Sequence, residues 1–281
     1  MKPSRQNPKE SGVAQHRLRA VSSRGNARVK ELHLAFSKSQ LTSEGCMAIE
    51  GVRLIEEAIR SGLRVHTVFF SESAAGRAER LLPQLSTHVD ALLLPDAIFA
   101  GAVTTEHPQG VAALIHPKKF ALEDILKAAS PLLVAALGVQ DPGNLGTLLR
   151  SAEAFAASGV LLCEGTVSAL NPKVVRAAAG SLFRLPSVSI AFQQALPQLR
   201  GENVRLLAAS SHKGTPLHEA DLRGAVCILI GNEGAGVPRE AAREADAMLM
   251  IPHSDKVESL NAGMAASILL YEAARQRRSS A

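Results

Sequence analysis

The sequence predicts an α/β protein in two parts, a small N-terminal α/β unit followed by a larger C-terminal domain around a mostly parallel sheet. Three observations carry this prediction. Strand-length apolar runs alternate with helix-length amphipathic segments from about residue 47 to near the C-terminus. The alternation is interrupted over residues 116–130 and then resumes. No apolar run reaches the ~18 residues that a spanning helix needs, so the 46% apolar content of the 281 residues belongs to buried cores rather than to a membrane.

In chain order, residues 1–24 are polar and rich in Pro, Ser and Arg, and are expected to form a flexible basic arm. Residues 25–117 form the first folded unit. It begins with a short basic helix over 26–38 and a strand at Met47–Glu50. A helix over Gly51–Arg60 follows, with Val52, Ile55 and Ile59 on one face. The unit continues with a strand at His66–Phe70, a helix over Ala74–Leu85, a strand at Val89–Leu94, a helix over Asp96–Ala102 and a strand at Val111–Ile115. Residues 118–130 read as a linker containing a short helix.

Residues 131–278 form the second domain. Strands are predicted at Leu132–Leu137, Val160–Cys163, Val188–Ile190, Val204–Ala208, Val226–Ile230 and Ala247–Ile251. Helices are predicted over Leu145–Ala157, Pro172–Ala179, Phe192–Leu199, a short one from Pro238, and a long one over Ser259–Arg275. Strands separated by helices imply a parallel sheet covered on both faces, with ligands beyond the carboxyl ends of the strands.

Charge is unevenly distributed. Residues 1–40 hold nine Lys and Arg against two acids, a surplus of seven, whereas the whole chain carries only +5. A basic arm on a near-neutral body suits a polyanionic partner, because neutralised phosphates supply affinity. A solubilising tail or an organelle transit peptide are the alternatives, the latter disfavoured because no apolar stripe begins before Val29. With eight Phe, one Tyr and no Trp, the chain is poorly equipped to read single strands by base stacking. The three cysteines, Cys46, Cys163 and Cys227, lie far apart in apolar surroundings and read as buried free thiols in a reducing cytoplasm. The nine histidines form no metal-ligand spacing, so no metal is expected.

Three strand-to-helix junctions carry the chemistry. The first is GVQDPGNLGTLLRSAEAF, residues 138–155, where Asn144 reads as an N-cap and Gly146 and Arg150 share a helix face. A glycine there removes bulk beside the guanidinium and makes room for a phosphodiester. The second is ILIGNEGAGVP, residues 228–238, an apolar strand entering a glycine loop with an embedded Asn-Glu. Its G-x-x-G-x-G order is neither the dinucleotide fingerprint nor a P-loop. The third is MIPHSDKVESLNAGMAAS, residues 250–267, a polar loop opening a helix of small residues. Taken singly, each also reads as an ordinary cap, turn or helix-packing surface.

In this order the three junctions resemble the motifs of the SpoU/TrmH branch of the SPOUT methyltransferases. Asn144, Gly146 and Arg150 match N-x-G-x-x-x-R. Gly231, Asn232, Glu233, Gly234 and Gly236 match G-N/S-E-G-x-G, and Ile251, Pro252, Ser259, Leu260 and Asn261 match I-P…S-L-N. The stretch at 171–186 is similar to the family's segment between the first two motifs. EGVRLIEEA at 50–58 and PQG at 108–110 resemble its N-terminal RNA substrate-binding domain. The helix after Asn261 departs from the family's usual Val-Ser in reading Ala262-Gly263.

The resemblance implies a ribosomal-protein-like first unit, a second domain with a deep trefoil knot, a homodimer packed through the last helix, and S-adenosyl-L-methionine as cofactor. It implies transfer of a methyl group to a ribose 2′-hydroxyl of RNA, with rRNA the expected substrate and tRNA the alternative. Arg150, Asn144, Glu233, Ser259 and Asn261 would be the catalytic set, with Glu233 holding Arg150 or a nearby loop, or taking the proton. Ser210, Gly231, Asn232, Gly236, Ile251 and Leu260 would hold the cofactor. Arg24, Arg28, Lys30, Lys173 and Arg176 would contact RNA. A non-catalytic RNA-binding assembly factor is the rival reading, set against it by the presence of every motif residue. A doubly wound oxidoreductase would need G-x-G-x-x-G after its first strand and an acid about 20 residues on, and has neither.

Overall fold

The computed structural model describes residues 17–278. They divide into two compact units, one running through Lys118 and one from Lys119 onward, apart from the short stretch Leu170–Pro172.

The first unit is a five-stranded mixed sheet in the order β1-β4-β3-β5-β2. Its strands are β1 (Leu18–Ala20), β2 (Met47–Glu50), β3 (Arg64–Ser71), β4 (Asp90–Leu94) and β5 (Val111–His116). β4 runs parallel to β1 and β3, and β5 runs antiparallel to β3 and β2. The helices are α1 (Ala27–Lys38), α2 (Val52–Arg60), α3 (Ala78–Leu81) and α4 (Asp96–Ala102). Asn26 caps α1 by accepting from Arg28 N, and Val29, Leu32 and Phe36, spaced on one helical face, are buried with Phe69, Leu92 and Phe99.

Two expectations are corrected here. Residues 17–24 are not part of a free arm. Leu18–Ala20 adds an edge strand beside β4, and the Arg17 guanidinium donates to Leu82 O at 2.8 Å and Ser86 O at 2.7 Å. The arm over residues 1–16 lies outside the described residues. The helix expected over Ala74–Leu85 is instead a 3₁₀ turn at Glu72–Arg77, the single turn α3, and a second 3₁₀ turn at Leu82–Gln84. Gly76 weakens a continuous helix and Pro83 removes a donor from it.

The second unit holds a seven-stranded, all-parallel sheet in the order β10-β12-β9-β11-β6-β7-β8. Its strands are β6 (Leu132–Ala136), β7 (Gly159–Leu162), β8 (Ser187–Ser189), β9 (Arg205–Ser210), β10 (Thr215–Pro216), β11 (Val226–Ile230) and β12 (Ala247–Met250). Its helices are α5 (Leu122–Leu126), α6 (Pro142–Ala154), α7 (Pro172–Ala177), α8 (Phe192–Gly201), α9 (Arg239–Arg243) and α10 (Ala262–Arg278). Side-chain alternation sends Val134, Ala136, Ile228 and Ile230 into one core with Leu145, Leu148, Leu269 and Leu270. Leu133, Ala135, Cys227 and Leu229 enter the other, with Phe192 and Leu199.

The expected linker at 118–130 belongs to this second core, since Leu122 and Ile125 of α5 are buried in it. α6 and α10 pack through small residues: a Cβ on Gly263 would lie 3.0 Å from Thr147 Cβ, and Ser151 and Ser267 share a 2.7 Å hydrogen bond. All three cysteines are buried free thiols, and burial pushes the Cys163 thiol up to about 12 and the Cys227 thiol higher still. Because β11 returns between β9 and β6 while β12 joins beyond β9, the carboxyl ends of β9, β11 and β12 lie side by side. Their loops meet at one point on the sheet edge, the position where ligands bind in such sheets.

Candidate active site

A cleft of about 460 Å3 opens among the loops that leave β9, β11 and β12. All six residues expected to hold the cofactor, Ser210, Gly231, Asn232, Gly236, Ile251 and Leu260, line it, together with Glu233 and Ser259. Much of the wall is backbone and small side chains, because the loop after β11 is Gly231–Gly236 and α10 begins with Ala262 and Ala265 facing the cleft.

The loop after β11 is tied to itself. Asn232 N donates to Gly236 O at 3.1 Å and Gly236 N to Asn232 O at 2.8 Å. Asn232 Oδ1 accepts from Gly234 N at 2.9 Å and Ala235 N at 3.2 Å, and its Nδ2 donates to Gly138 O at 3.2 Å. Asn232 therefore uses its side chain to shape the loop. Glycine at 231 is required by the loop itself: a Cβ there would collide with the Gly236 carbonyl and Val237 N.

Asn144 is not the N-cap. Asp141 is, accepting from Asn144 N at 2.8 Å ahead of Pro142, whose missing N–H costs nothing in the first turn. This leaves the Asn144 amide, buried at 8% exposure, free to join the other two motifs. Its Nδ2 donates to Glu233 Oε1, and its Oδ1 accepts from Asn261 Nδ2 at 2.6 Å. Asn261 Oδ1 in turn accepts from Met264 N at 3.1 Å and caps α10. The polarity of this chain is self-consistent. An ionised carboxylate only accepts, so Asn144 must present Nδ2 to it, and each following amide is oriented by the one before.

The remaining expected residues are placed differently. Arg150 is exposed on α6, does not line the cleft, and makes no hydrogen bond or ion pair with Glu233, which is committed to Asn144. Gly146 does not clear space beside Arg150 for a phosphodiester: a Cβ there would run into Ala177 and lie 3.0 Å from Ala178 N, so the glycine lets α7 pack on α6. Lys173 and Arg176 are exposed on α7. In the first unit Arg24 and Lys30 are exposed, but Arg28 is held by Glu31 and Glu44, each at 2.8 Å, contacts that raise its pKa.

Several polar cleft residues carry no mark in the sequence, among them Ser211, His212, His253 and Glu258, because none matches a motif position. The His212 and His253 rings lie 5.8 Å apart between centroids. Among the described residues no group of three or more His, Cys, Asp or Glu is arranged to hold a metal ion.

Comparison with known proteins gives the family. Residues 131–271 match the SpoU rRNA methylase family, and residues 26–113 match the MRM3-like substrate binding domain. The chain is 33% identical over 254 residues to the 23S rRNA (guanosine(2553)-2'-O)-methyltransferase RlmP of Bacillus subtilis, covering 90% of this chain and 98% of that one. It is 30% identical to the 23S rRNA (uridine(2479)-2'-O)-methyltransferase of Streptomyces viridochromogenes, covering 92% and 93% of the two chains. The crystal structure of the SpoU methyltransferase AviRb from that organism, in complex with the cofactor AdoMet, superposes with a TM-score of 0.81 at 28% identity, covering 90% of this chain and 99% of AviRb. The chain belongs to the SpoU rRNA methylase family.

Proposed function

We propose that this protein transfers a methyl group from S-adenosyl-L-methionine to a ribose 2′-hydroxyl of ribosomal RNA, in the cytoplasm, as a homodimer. One observation carries the reading. The Glu233–Asn144–Asn261 chain of hydrogen bonds ties all three motifs to the wall of one cleft, in a family of rRNA methylases. The cleft suits the cofactor. Its volume of about 460 Å3 lies within the range of small-ligand pockets, and its wall mixes apolar surface with loop backbone. Gly231, Ile251 and Leu260 would hold the cofactor, with Ser210 at the rim. When bound, it supplies a methyl group on a sulfonium with a good leaving group.

The protein's task is to place the ribose and ease the loss of its proton. A guanidinium is always charged in proteins, so Arg150 is no general base. It binds phosphate and stabilises developing charge on the 2′-oxygen. Asn144 and Asn261 spend their amides on each other, on Glu233 and on α10, and act as positioning residues. Ser259 lines the cleft and is left to contact the ribose.

Since Arg150 does not line the cleft, the site is completed by Arg150 of a second copy. α10 offers a surface for that copy in Met264, Ile268 and Tyr271, which are spaced along one face and are 56%, 37% and 56% exposed. The order β9-β11-β6 with β12 outside supports a trefoil-knotted path through the cleft loops. Arg24, Lys30, Lys173 and Arg176 are the proposed RNA contacts, and the residue 26–113 match supports RNA binding by the first unit.

Ribose-methylation mapping of total RNA from cells with and without the gene tests the reading. One 2′-O-methyl mark is expected to disappear from rRNA. Loss of a mark from tRNA instead would move the substrate to that alternative, and no change in the marks would reject the activity.

A further inference from the structure

The helix that carries Arg150 is held on two sides. On one, Gly146 lets α7 against α6, since a Cβ there would run into Ala177. On the other lies α10, and Gly263 brings it so close that an added Cβ would lie 3.0 Å from Thr147 Cβ, 3.2 Å from Thr147 Cγ2 and 3.2 Å from Asn144 O. A rotamer change can swing Thr147 Cγ2 aside but not Thr147 Cβ, which is fixed to the backbone of α6. Gly263 also belongs to the Ala262-Gly263 step, where this sequence departs from the usual continuation of the third motif. Hydrogen bonds lock the same face of α6. Asn261 Nδ2 donates to Asn144 Oδ1 at 2.6 Å, and two turns on Ser151 meets Ser267 at 2.7 Å. Ser267 Oγ donates its one proton to Gly263 O at 2.7 Å, so it accepts from Ser151. Neither Gly263 nor Thr147 lines the cofactor cleft.

We propose that Gly263 and Thr147 are a positioning pair, whose close contact sets the spacing of α6 and α10 and thereby the place of the Arg150 guanidinium at the reacting ribose. The proposal rests on the reading of Arg150 as the group that stabilises charge on the 2′-oxygen. Because α7 already backs α6 through Gly146, α6 has little room to retreat from a larger residue at 263. It must tilt or slide, and Arg150, three residues beyond Thr147 and next to Ser151, moves with it. Misplacing a reacting group by about 1 Å can cost ~10²-fold in rate, so a shift of a few tenths of an ångström is enough to register.

The test is the single-turnover rate at saturating S-adenosylmethionine, with ribosomal RNA from cells lacking the gene as substrate. Cofactor affinity, melting temperature and dimer mass are measured beside it. Gly263→Ala should slow methyl transfer about tenfold and leave cofactor affinity within a few-fold. In an Arg150→Ala background the same change should cost little more, because the group that it displaces is gone. Moving the contact from one helix to the other, Gly263→Ala with Thr147→Gly, removes both short distances to Thr147 and should recover most of the rate. A wild-type rate in Gly263→Ala overturns the proposal, as does a full tenfold loss in the Arg150→Ala background. So does a swapped variant that stays slow while its melting temperature and dimer mass match the wild type. If Gly263→Ala melts too low to assay, the swapped variant decides alone. Arg150→Ala at the wild-type rate would remove Arg150 from the mechanism, and the proposal would then fall with that reading rather than with the spacing.

Discussion

The first unit and the cleft of the second spend their polar side chains in different ways. The first unit pairs charges. Arg28 bridges Glu31 and Glu44, His66 also meets Glu44 at 2.8 Å, and Arg80 grips the buried Glu56 with two 2.7 Å hydrogen bonds. The cleft of the second unit is held instead by amides, Asn144, Asn232 and Asn261, that join loop to loop with a single carboxylate among them. Amides neither titrate nor carry net charge, so they can fix glycine loops around a ligand without adding a field of their own. The first unit's pairs hold shape at the expense of free charge: Arg28 is engaged by Glu31 and Glu44, while Arg24 and Lys30 remain exposed.

The strongest test of the amide-held cleft separates it from the residue that it lacks. Arg150→Ala should lower the single-turnover rate by about 10²- to 10³-fold, the loss typical of one donor to a developing oxyanion. Affinity for S-adenosylmethionine should stay within a few-fold, because Arg150 does not line the cleft. Gly231→Val should do the reverse, abolishing cofactor binding by forcing the Gly236 carbonyl aside. Each variant alone is expected to be inactive. Mixed and reassembled, they should recover activity, since one heterodimer site pairs an intact cleft with an intact arginine. No recovery under conditions of subunit exchange would place both residues in one chain's site.

Next in size is the amide chain itself. Asn144→Ala leaves Glu233 and Asn261 each short of a partner near a buried position, and should cost about 1–3 kcal/mol in denaturant unfolding. Asn144→Asp should cost more, because it sets a second carboxylate against Glu233 Oε1. Asn144→Asp matching the wild type in both stability and cofactor affinity would remove the chain from the account of the cleft.

The sheet of the second unit is legible in the sequence, because buried parallel strands such as Val226–Ile230 are unbroken apolar runs. The loops that line the cleft are legible only from the three junctions taken together and in order, because each alone also reads as an ordinary cap, turn or packing surface. The reasons for individual residues are not. Asn144 looks like a cap in isolation, and only the position of Asp141 shows that the cap is three residues earlier. Gly146 reads as space for a ligand, but the atoms it avoids belong to α7, and Gly231 avoids atoms of its own loop, contacts between residues that no local pattern encodes. β1 escapes a reading by periodicity because three residues in a polar stretch carry too short an alternation to register. Its strand partner is also remote in sequence, with Leu18 opposite Ala91.

A smaller effect distinguishes the two units by pH. Hydrogen bonds from Arg80 hold the Glu56 carboxyl below its ordinary range. A carboxylate depressed by folding adds stability above its unfolded pKa, near about 4.3, and that stability is lost as the pH falls below it. Glu56→Gln should therefore flatten the acid limb of first-unit unfolding, followed by amide exchange of β3 and β4, with no change for cleft residues. Glu272 on α10, lowered to about 2 chiefly by Arg275, gives the second unit its own acid-sensitive pair outside the cleft.

The smallest expected effect concerns the N-terminal arm, and it is sharpened by where the fold begins. Removing residues 1–16 deletes Lys2, Arg5 and Lys9 against Glu10, which takes away a net two positive charges and leaves β1 and the Arg17 hydrogen bonds in place. Each phosphate that the arm no longer neutralises should make the slope of log affinity against log salt shallower by about 0.7 on single-stranded RNA. A shallower slope and a few-fold weaker binding are therefore expected, with melting temperature and cofactor affinity unchanged. Removing residues 1–24 should behave differently, because it strips the edge strand from β4 and the guanidinium that binds Leu82 and Ser86. That protein should melt at a lower temperature as well as bind RNA more weakly, and its further drop in affinity should include the share of Arg24. If the shorter truncation matches the full chain in slope and affinity, the arm takes no part in RNA binding. The RNA must then be held by the folded surface, and single substitutions of Lys30, Lys173 and Arg176, each read by its change in salt slope, would locate where.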